Sequence, residues 1–265
     1  MQYRKLTYEQ HINLIKDFNA GMPRKLIREK YDIDHQTIYN YMSKKPSKYN
    51  TRSDQTLDHE YFSNINSEAK AYWLGFIYAD GNISKSSNAL SIGVSDRDAS
   101  HVNKFFKDEL NSSNKIYKYG SCSFFNVSSK SIKQNLISLG VSPAKTFKIK
   151  PPKEISKKYI RHFIRGYFDG DGCITHIWNT HKTIKRPKID ITGTKSLLLW
   201  LLDQFKACIK LTPVTTNNNI FSIRISKQED VKRIYHYLYD NASIYLPRKK
   251  QKFDELLGLS KTQIS

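Results

Sequence analysis

The sequence predicts an α+β protein made of two similar halves behind a small all-α unit. Three observations carry that expectation. An unusual segment occurs twice, at residues 73–81 and 163–172. The same order of helix-like and strand-like stretches follows each copy. Residues 1–45 then show a pattern of their own. A chain of 265 residues can bury a compact core and still carry a small appendage.

Each copy of the repeated segment is an apolar, helix-like run with small residues four apart, Gly75/Ala79 in one and Gly166/Gly170 in the other. Residues i and i+4 share a helix face, and Gly or Ala there lets two helices approach closely. Each run ends in Asp-Gly, at Asp80-Gly81 and Asp171-Gly172. The glycines suit left-handed C-terminal caps. The aspartates face the negative end of a helix dipole, which disfavours each by roughly 0.3–1 kcal/mol. One such Asp is unremarkable; two at matching positions ask for a compensating cation. If the helices pack through their small residues, Asp80 and Asp171 emerge side by side. Like charges that close repel unless one protonates or a divalent metal binds between them.

The repeat continues beyond these runs. Leu90–Ser95 alternates as a half-buried strand and leads into a helical stretch, Ala99–Leu110; Lys188–Thr192 and Ser196–Ile209 are its counterparts. Phe125–Ser128 precedes the helical Ser131–Leu139, as Ile223–Ser226 precedes Asp230–Tyr239. Pro143-Ala144-Lys145 then corresponds to Pro247-Arg248-Lys249. The offset grows from 91 residues (Asp80 to Asp171) to 98 (Phe125 to Ile223) and 104 (Lys145 to Lys249), as loop insertions in a duplicated unit would make it.

Lys and Arg total 44 against 24 Asp and Glu, a formal net charge of +20. Solubility needs far less imbalance and works with either sign, so this charge points to a polyanion, most often nucleic acid. The groove-compatible candidates are Lys85, Lys115, Lys118, Trp178, Lys182, Lys185, Arg186, Lys188, Arg224 and Arg248. Cys122, Cys173 and Cys208 form neither a disulfide framework nor a metal pattern, and the eight histidines show no zinc spacing. With no apolar leader at the N-terminus and no run long enough to span a bilayer, the expectation is a cytoplasmic protein with no membrane partner.

In residues 1–45, Thr7 and Gln10 predict a capping box and a helix to about Asn19 that stops at Gly21. Pro23 suits the first turn of a second helix, Pro23–Lys30. Asp34 can cap a third, Asp34–Ser43, which carries Gln36, Thr37, Tyr39 and Asn40. Three short helices with a tight turn near Tyr31–Asp34 resemble the helix-turn-helix of resolvases and transposases, whose last helix would enter the major groove. A small docking module is the alternative. The stretch Ser43–Asp58 is polar and basic and reads as a linker, set at 46–60 between the units; its roughly 16 residues reach about 50–55 Å when extended.

The two repeated segments resemble the LAGLIDADG motif, and two copies in one chain resemble the monomeric, pseudo-symmetric LAGLIDADG homing endonucleases. The likeness is strongest at Gly75/Asp80/Gly81 and Gly166/Asp171/Gly172; Tyr78 departs from the consensus where Asp169 keeps it, and Arg165 replaces a small residue. The resemblance implies two αββαββα halves, 61–152 and 153–265, related by a pseudo-two-fold axis. It implies Mg²⁺, or another divalent cation such as Mn²⁺, held by Asp80 and Asp171 with help from the Ala79 and Gly170 carbonyls. It places Lys145 and Lys249 beside the attacking water, with anchoring of phosphate as their simpler role and Arg248 or Lys250 as substitutes for Lys249. The implied activity is a staggered break in a long duplex DNA target, one strand per carboxylate, in a mobile-intron or intron-homing context. Two alternatives stay open on the same scaffold: a non-cleaving DNA-binding regulator, and a maturase acting on its own intron RNA.

Overall fold

A computed structural model of the chain describes residues 6–42, 56–143, 145–178, 181, 185–207, 210–214 and 219–259. The chain divides into two compact units, 1–55 and 56–265.

The smaller unit holds α1 (Tyr8–Asn19), α2 (Arg24–Tyr31) and α3 (His35–Met42). The Thr7–Gln10 capping box starts α1. Pro23 sits one position earlier than its sequence reading, as the N-cap of α2. Asp32 takes the left-handed conformation that ends α2, and the Asp34 carboxylate caps α3 by accepting from the Thr37 amide at 2.6 Å. Leu14, Ile27, Ile33 and Ile38 close a small core among the three helices.

The larger unit opens with a correction. Leu57 is buried in its main core and the Asp58 amide donates to the Leu110 carbonyl, so these residues of the expected linker belong to the first half. The rest of that linker, 46–55, lies outside the described residues. The first half then runs α4 (Glu68–Asp80), β1 (Gly81–Ile83), β2 (Ala89–Ser95), α5 (Ala99–Lys104, extended by a π turn over Phe105–Glu109), β3 (Tyr117–Tyr119), β4 (Cys122–Ser128) and α6 (Lys130–Ser138). The second repeats it as α7 (Lys157–Asp171), β5 (Gly172–Trp178), β6 (Lys185–Thr194), α8 (Lys195–Gln204), β7 (Thr212–Pro213), β8 (Ile220–Ile225) and α9 (Gln228–Tyr239), then adds α10 (Pro247–Leu257). Both sheets are four-stranded and antiparallel, ordered β1-β2-β4-β3 and β5-β6-β8-β7. This is the duplicated αββαββα arrangement, a mixed α+β fold. α8 stops at Gln204, short of the expected Ile209, because Lys206 turns into the left-handed region.

The two halves meet through α4 and α7. Every residue from Ala71 to Tyr78 is buried, as is every one from Phe163 to Asp169. A helix apolar on all sides belongs inside a core, and its neighbour must lie close. A Cβ on Gly75 would collide with the carbonyl of Phe163, and one on Gly166 with the carbonyl of Tyr72. The collisions are reciprocal, so glycine here is what lets the two backbones touch.

Gly81 and Gly172 correct the expectation of left-handed caps. Their φ angles are both −74°, an extended conformation open to any residue. Each helix runs directly into its first strand, folding that glycine over the preceding turn. A Cβ at Gly81 would lie 2.7 Å from the Ile77 carbonyl oxygen, and one at Gly172 would lie 2.6 Å from that of Phe168. Space, and not φ, demands glycine.

Candidate active site

Because α4 and α7 pack side by side in the same sense, their C-terminal ends coincide. Ala79 faces Gly170, and a Cβ on Gly170 would lie 3.3 Å from Asp80 Oδ2. Asp80 is half-buried, and Asp171 is open to solvent but set in a protein-lined recess. Burial pushes the Asp80 carboxyl up to about 6, and the charge of Asp171 adds to the rise. Lys249 and Lys145 oppose it. Burial likewise raises Asp171, opposed by Lys145 and Lys249 and by hydrogen bonding from Tyr167.

The cations that the helix ends require are in place. Lys145 Nζ donates to the carbonyls of Tyr78 and Ala79. Lys249 Nζ donates to Phe168 O at 2.7 Å and Gly170 O at 3.0 Å. Helix C-termini leave carbonyls unpaired and partially negative, so each ammonium answers both needs. Burial lowers both lysines to about 8, against the pull of the nearby carboxylates. Lys145 comes from a short 3₁₀ turn and Lys249 from the first turn of α10. Two different local structures thus deliver the same ammonium to equivalent carbonyls.

A cavity of ≈ 400 Å³ opens beside Asp171. It is lined by Asp171, Tyr167, Thr192 and Gly193 of the second half and by Ala79 and Lys145 of the first. Among the described residues no three His, Cys, Asp or Glu side chains cluster as metal ligands. Any cation at this junction would rest on the two carboxylates and main-chain oxygens. That oxygen-only donor set suits a hard ion such as Mg²⁺ or Mn²⁺. A carbonyl has two lone pairs, so the Ala79 and Gly170 oxygens can accept from lysine and still face a cation. The residues fit the group.

Other residues have roles the sequence did not disclose. Asp169 is buried and accepts from Tyr72 Oη at 2.9 Å, Tyr239 Oη at 2.8 Å and the Leu246 amide at 2.7 Å. Arg165 is fully buried; it pairs with Glu68 at 2.6 Å and donates to the Leu238 and Ile244 carbonyls. Both tie the second half to the first helix of its neighbour. A charged residue inside an apolar helix was the available signal, but its partners lie far away in sequence.

Several expected groove residues are already engaged. Arg248 grips Asp98 through two bonds, at 2.5 and 2.7 Å, bridging the halves, which removes it as a substitute for Lys249. Lys250 pairs with Asp254 at 2.9 Å. Lys188 and Arg224 both pair with Asp190, at 2.9 and 2.7 Å. Lys85, Lys115, Lys118, Arg186 and Trp178 are exposed, as are Tyr117 and Tyr119 on β3, within the basic and aromatic segment Lys115–Tyr119. Lys182 and the Lys185 side chain lie outside the described residues. On α3, Gln36, Tyr39 and Asn40 are exposed, whereas Thr37 is half-buried behind the Asp34 cap.

No family model matches the chain. Among curated proteins it is 30% identical, over 202 residues, to the replication factor C small subunit of Methanocaldococcus jannaschii. That match takes in 72% of this chain, which spans about a tenth of the relative's length (10%). Among solved structures, the LAGLIDADG homing endonuclease I-GzeII in complex with its DNA target aligns with a TM-score of 0.53 at 16% identity, over 71% of this chain and 90% of its own. The I-LtrWI LAGLIDADG homing endonuclease bound to target DNA aligns with a TM-score of 0.52 at 14% identity, over 76% and 91%. No helix among the described residues is long and apolar enough to cross a membrane. The larger unit therefore has the fold of the LAGLIDADG homing endonucleases.

Proposed function

We propose that this protein is a site-specific DNA endonuclease that uses a divalent cation to make a staggered break in a long duplex target. The observation that carries the reading is the pairing of Asp80 and Asp171 at the joined ends of two glycine-packed helices, with Lys145 and Lys249 beside them. A half-buried Asp80 whose pKa is raised further by the charge of Asp171 is costly to a fold and suits a site built to hold positive charge. When bound, the cation would supply Lewis acidity toward the scissile phosphate.

The chain's own residues have defined tasks. Asp80 and Asp171 offer oxygen ligands and hold them at fixed separation. Lys145, on the wall of the recess, and Lys249, bonded to the Gly170 carbonyl, would orient a water and balance charge on the phosphate as water adds and the 3′ oxygen leaves. The exposed side chains of β3 and of the β5–β6 hairpin would track the duplex, with basic residues on phosphates and aromatic faces on bases or sugars. Two halves in one chain complete the paired site, so a monomer suffices. In the smaller unit α3 would read a neighbouring groove through Gln36, Tyr39 and Asn40, raising effective concentration at the target.

The test is incubation with a randomised duplex library and Mg²⁺, with Ca²⁺ and an Asp80→Asn/Asp171→Asn double variant as controls. A reproducible staggered cut at one long sequence, lost in both controls, is the expected result. Selective duplex binding without cutting would favour a DNA-binding regulator. No preference for duplex would turn the search to structured RNA.

A further inference from the structure

The two halves are not chemically equal at the site. The helices match residue for residue with Asp80 opposite Asp171, and one turn before each aspartate the chain places Phe76 in α4 and Tyr167 in α7. Both rings are buried, each 1% exposed. Only the second carries a hydroxyl. That hydroxyl lies 2.9 Å from Thr192 O, on the wall of the cavity that Tyr167 shares with Asp171 one turn on, so its single proton can go to either oxygen.

The sheets repeat the inequality. Gly81 pairs with Ile92 and Gly172 with Ile191, which sets Thr192 and Gly193 opposite Gly93 and Val94 of the first half. Thr192 and Gly193 line the cavity that holds Asp171 and Tyr167; the first half has a larger apolar side chain where Gly193 leaves room. The Asp80 side is instead neighboured by the Arg248–Asp98 pair.

Resting on the endonuclease reading, we infer that Tyr167 is a positioning residue for one of two unequal half-sites, clamping Asp171 between β6 and the cavity, so that one strand of the duplex depends on it and the other does not. Packing holds the phenol against β6 beside the Thr192 carbonyl, and its proton, when given to the ionised Asp171, limits the rotation of a carboxylate that faces open space. Phe76 cannot do this for Asp80. Residues that orient a ligand through a hydrogen bond typically cost about 10–100-fold in affinity or activity when lost.

Tyr167→Phe makes the second half match the first at this position. Single-turnover cutting of the selected duplex should be followed with each strand labelled separately. One strand should slow about 10-fold or more while the other stays within about twofold, so that a duplex nicked on one defined strand accumulates. Calcium titration of the enzyme–duplex complex by calorimetry should show one class of site weakened and another unchanged. The melting temperature should be nearly that of wild type, since a purely structural role would lower it and slow both strands alike. Equal slowing of both strands, no slowing, or an unaltered calcium titration overturns the inference while leaving the endonuclease reading intact. Failure of the wild type to cut any duplex overturns both.

Discussion

The helices α4 and α7 form one interface from two different chemical solutions. Their contact is symmetric: Gly75 meets the Phe163 carbonyl and Gly166 meets the Tyr72 carbonyl. Around that contact almost nothing matches. Leu74, Phe76 and Tyr78 of α4 stand where α7 carries Arg165, Tyr167 and Asp169. The Tyr78 hydroxyl donates to the Leu139 carbonyl of its own half, whereas Arg165 and Asp169 reach across to Glu68 and Tyr72 of the other. Backbone proximity tolerates one residue type, so duplicated copies stay alike there. A buried polar network needs only mutual satisfaction, and the two halves satisfy theirs differently.

The largest expected effect tests whether the two aspartates are equivalent. Asp80→Asn and Asp171→Asn should each reduce double-strand cutting by about 10³-fold or more in single-turnover assays while duplex affinity stays close to wild type. Full cutting by either variant would remove it from the site.

The same substitutions should have the opposite sign on stability. The Asp80 carboxyl rises from 3.8 to about 6 on folding, so its contribution is fully present below its unfolded value and is lost as pH rises through about 6. Asn does not suffer that loss. Thermal melts of metal-free Asp80→Asn should therefore exceed wild type by a few degrees at pH 8, on the order of 1–2 kcal/mol. The two should converge near pH 4, and a gap that persists there would mean that charge is not the cause.

Next in size are the interface glycines. Gly75→Ala and Gly166→Ala each drive a methyl into a backbone carbonyl that cannot rotate away, which should cost about 3 kcal/mol or more in denaturant unfolding. Because the collisions are reciprocal, the two losses should be similar. A large difference between them would show that one helix yields and the interface is less symmetric than its geometry.

Lys145→Met and Lys249→Met separate anchoring from chemistry. If the ammoniums serve the reaction, each should lower cutting about 10²-fold with little change in duplex affinity at fixed salt. Loss of affinity with an unchanged maximal rate would leave them as phosphate anchors. The smallest effect is pH dependence. With Asp80 at about 6 and both lysines at about 8, cutting should rise through the first value and fall through the second. Raising Mg²⁺ should move the acidic limb downward, because cation and proton compete for the same carboxylates.

Spacing alone identifies the duplicated helices, their small faces and the two aspartates, because a helix face is a local property of residues four apart. It identifies the capping box of α1 and the Asp34 cap for the same reason, and net charge supports the proposal of a polyanionic partner. Three matters depended on distant contacts. The cap glycines Gly81 and Gly172 were correct in residue and wrong in conformation, since what crowds them is the preceding helical turn after the chain bends into a strand. Arg248 reads as a free groove residue until Asp98, 150 positions away, is folded against it. Arg165 and Asp169 read as a loose motif and an intact one, and prove to be buried struts between halves. Local geometry is written in adjacent residues. The partner of a buried charge is chosen only when the two halves close, because only then is water removed and an unpaired charge made costly.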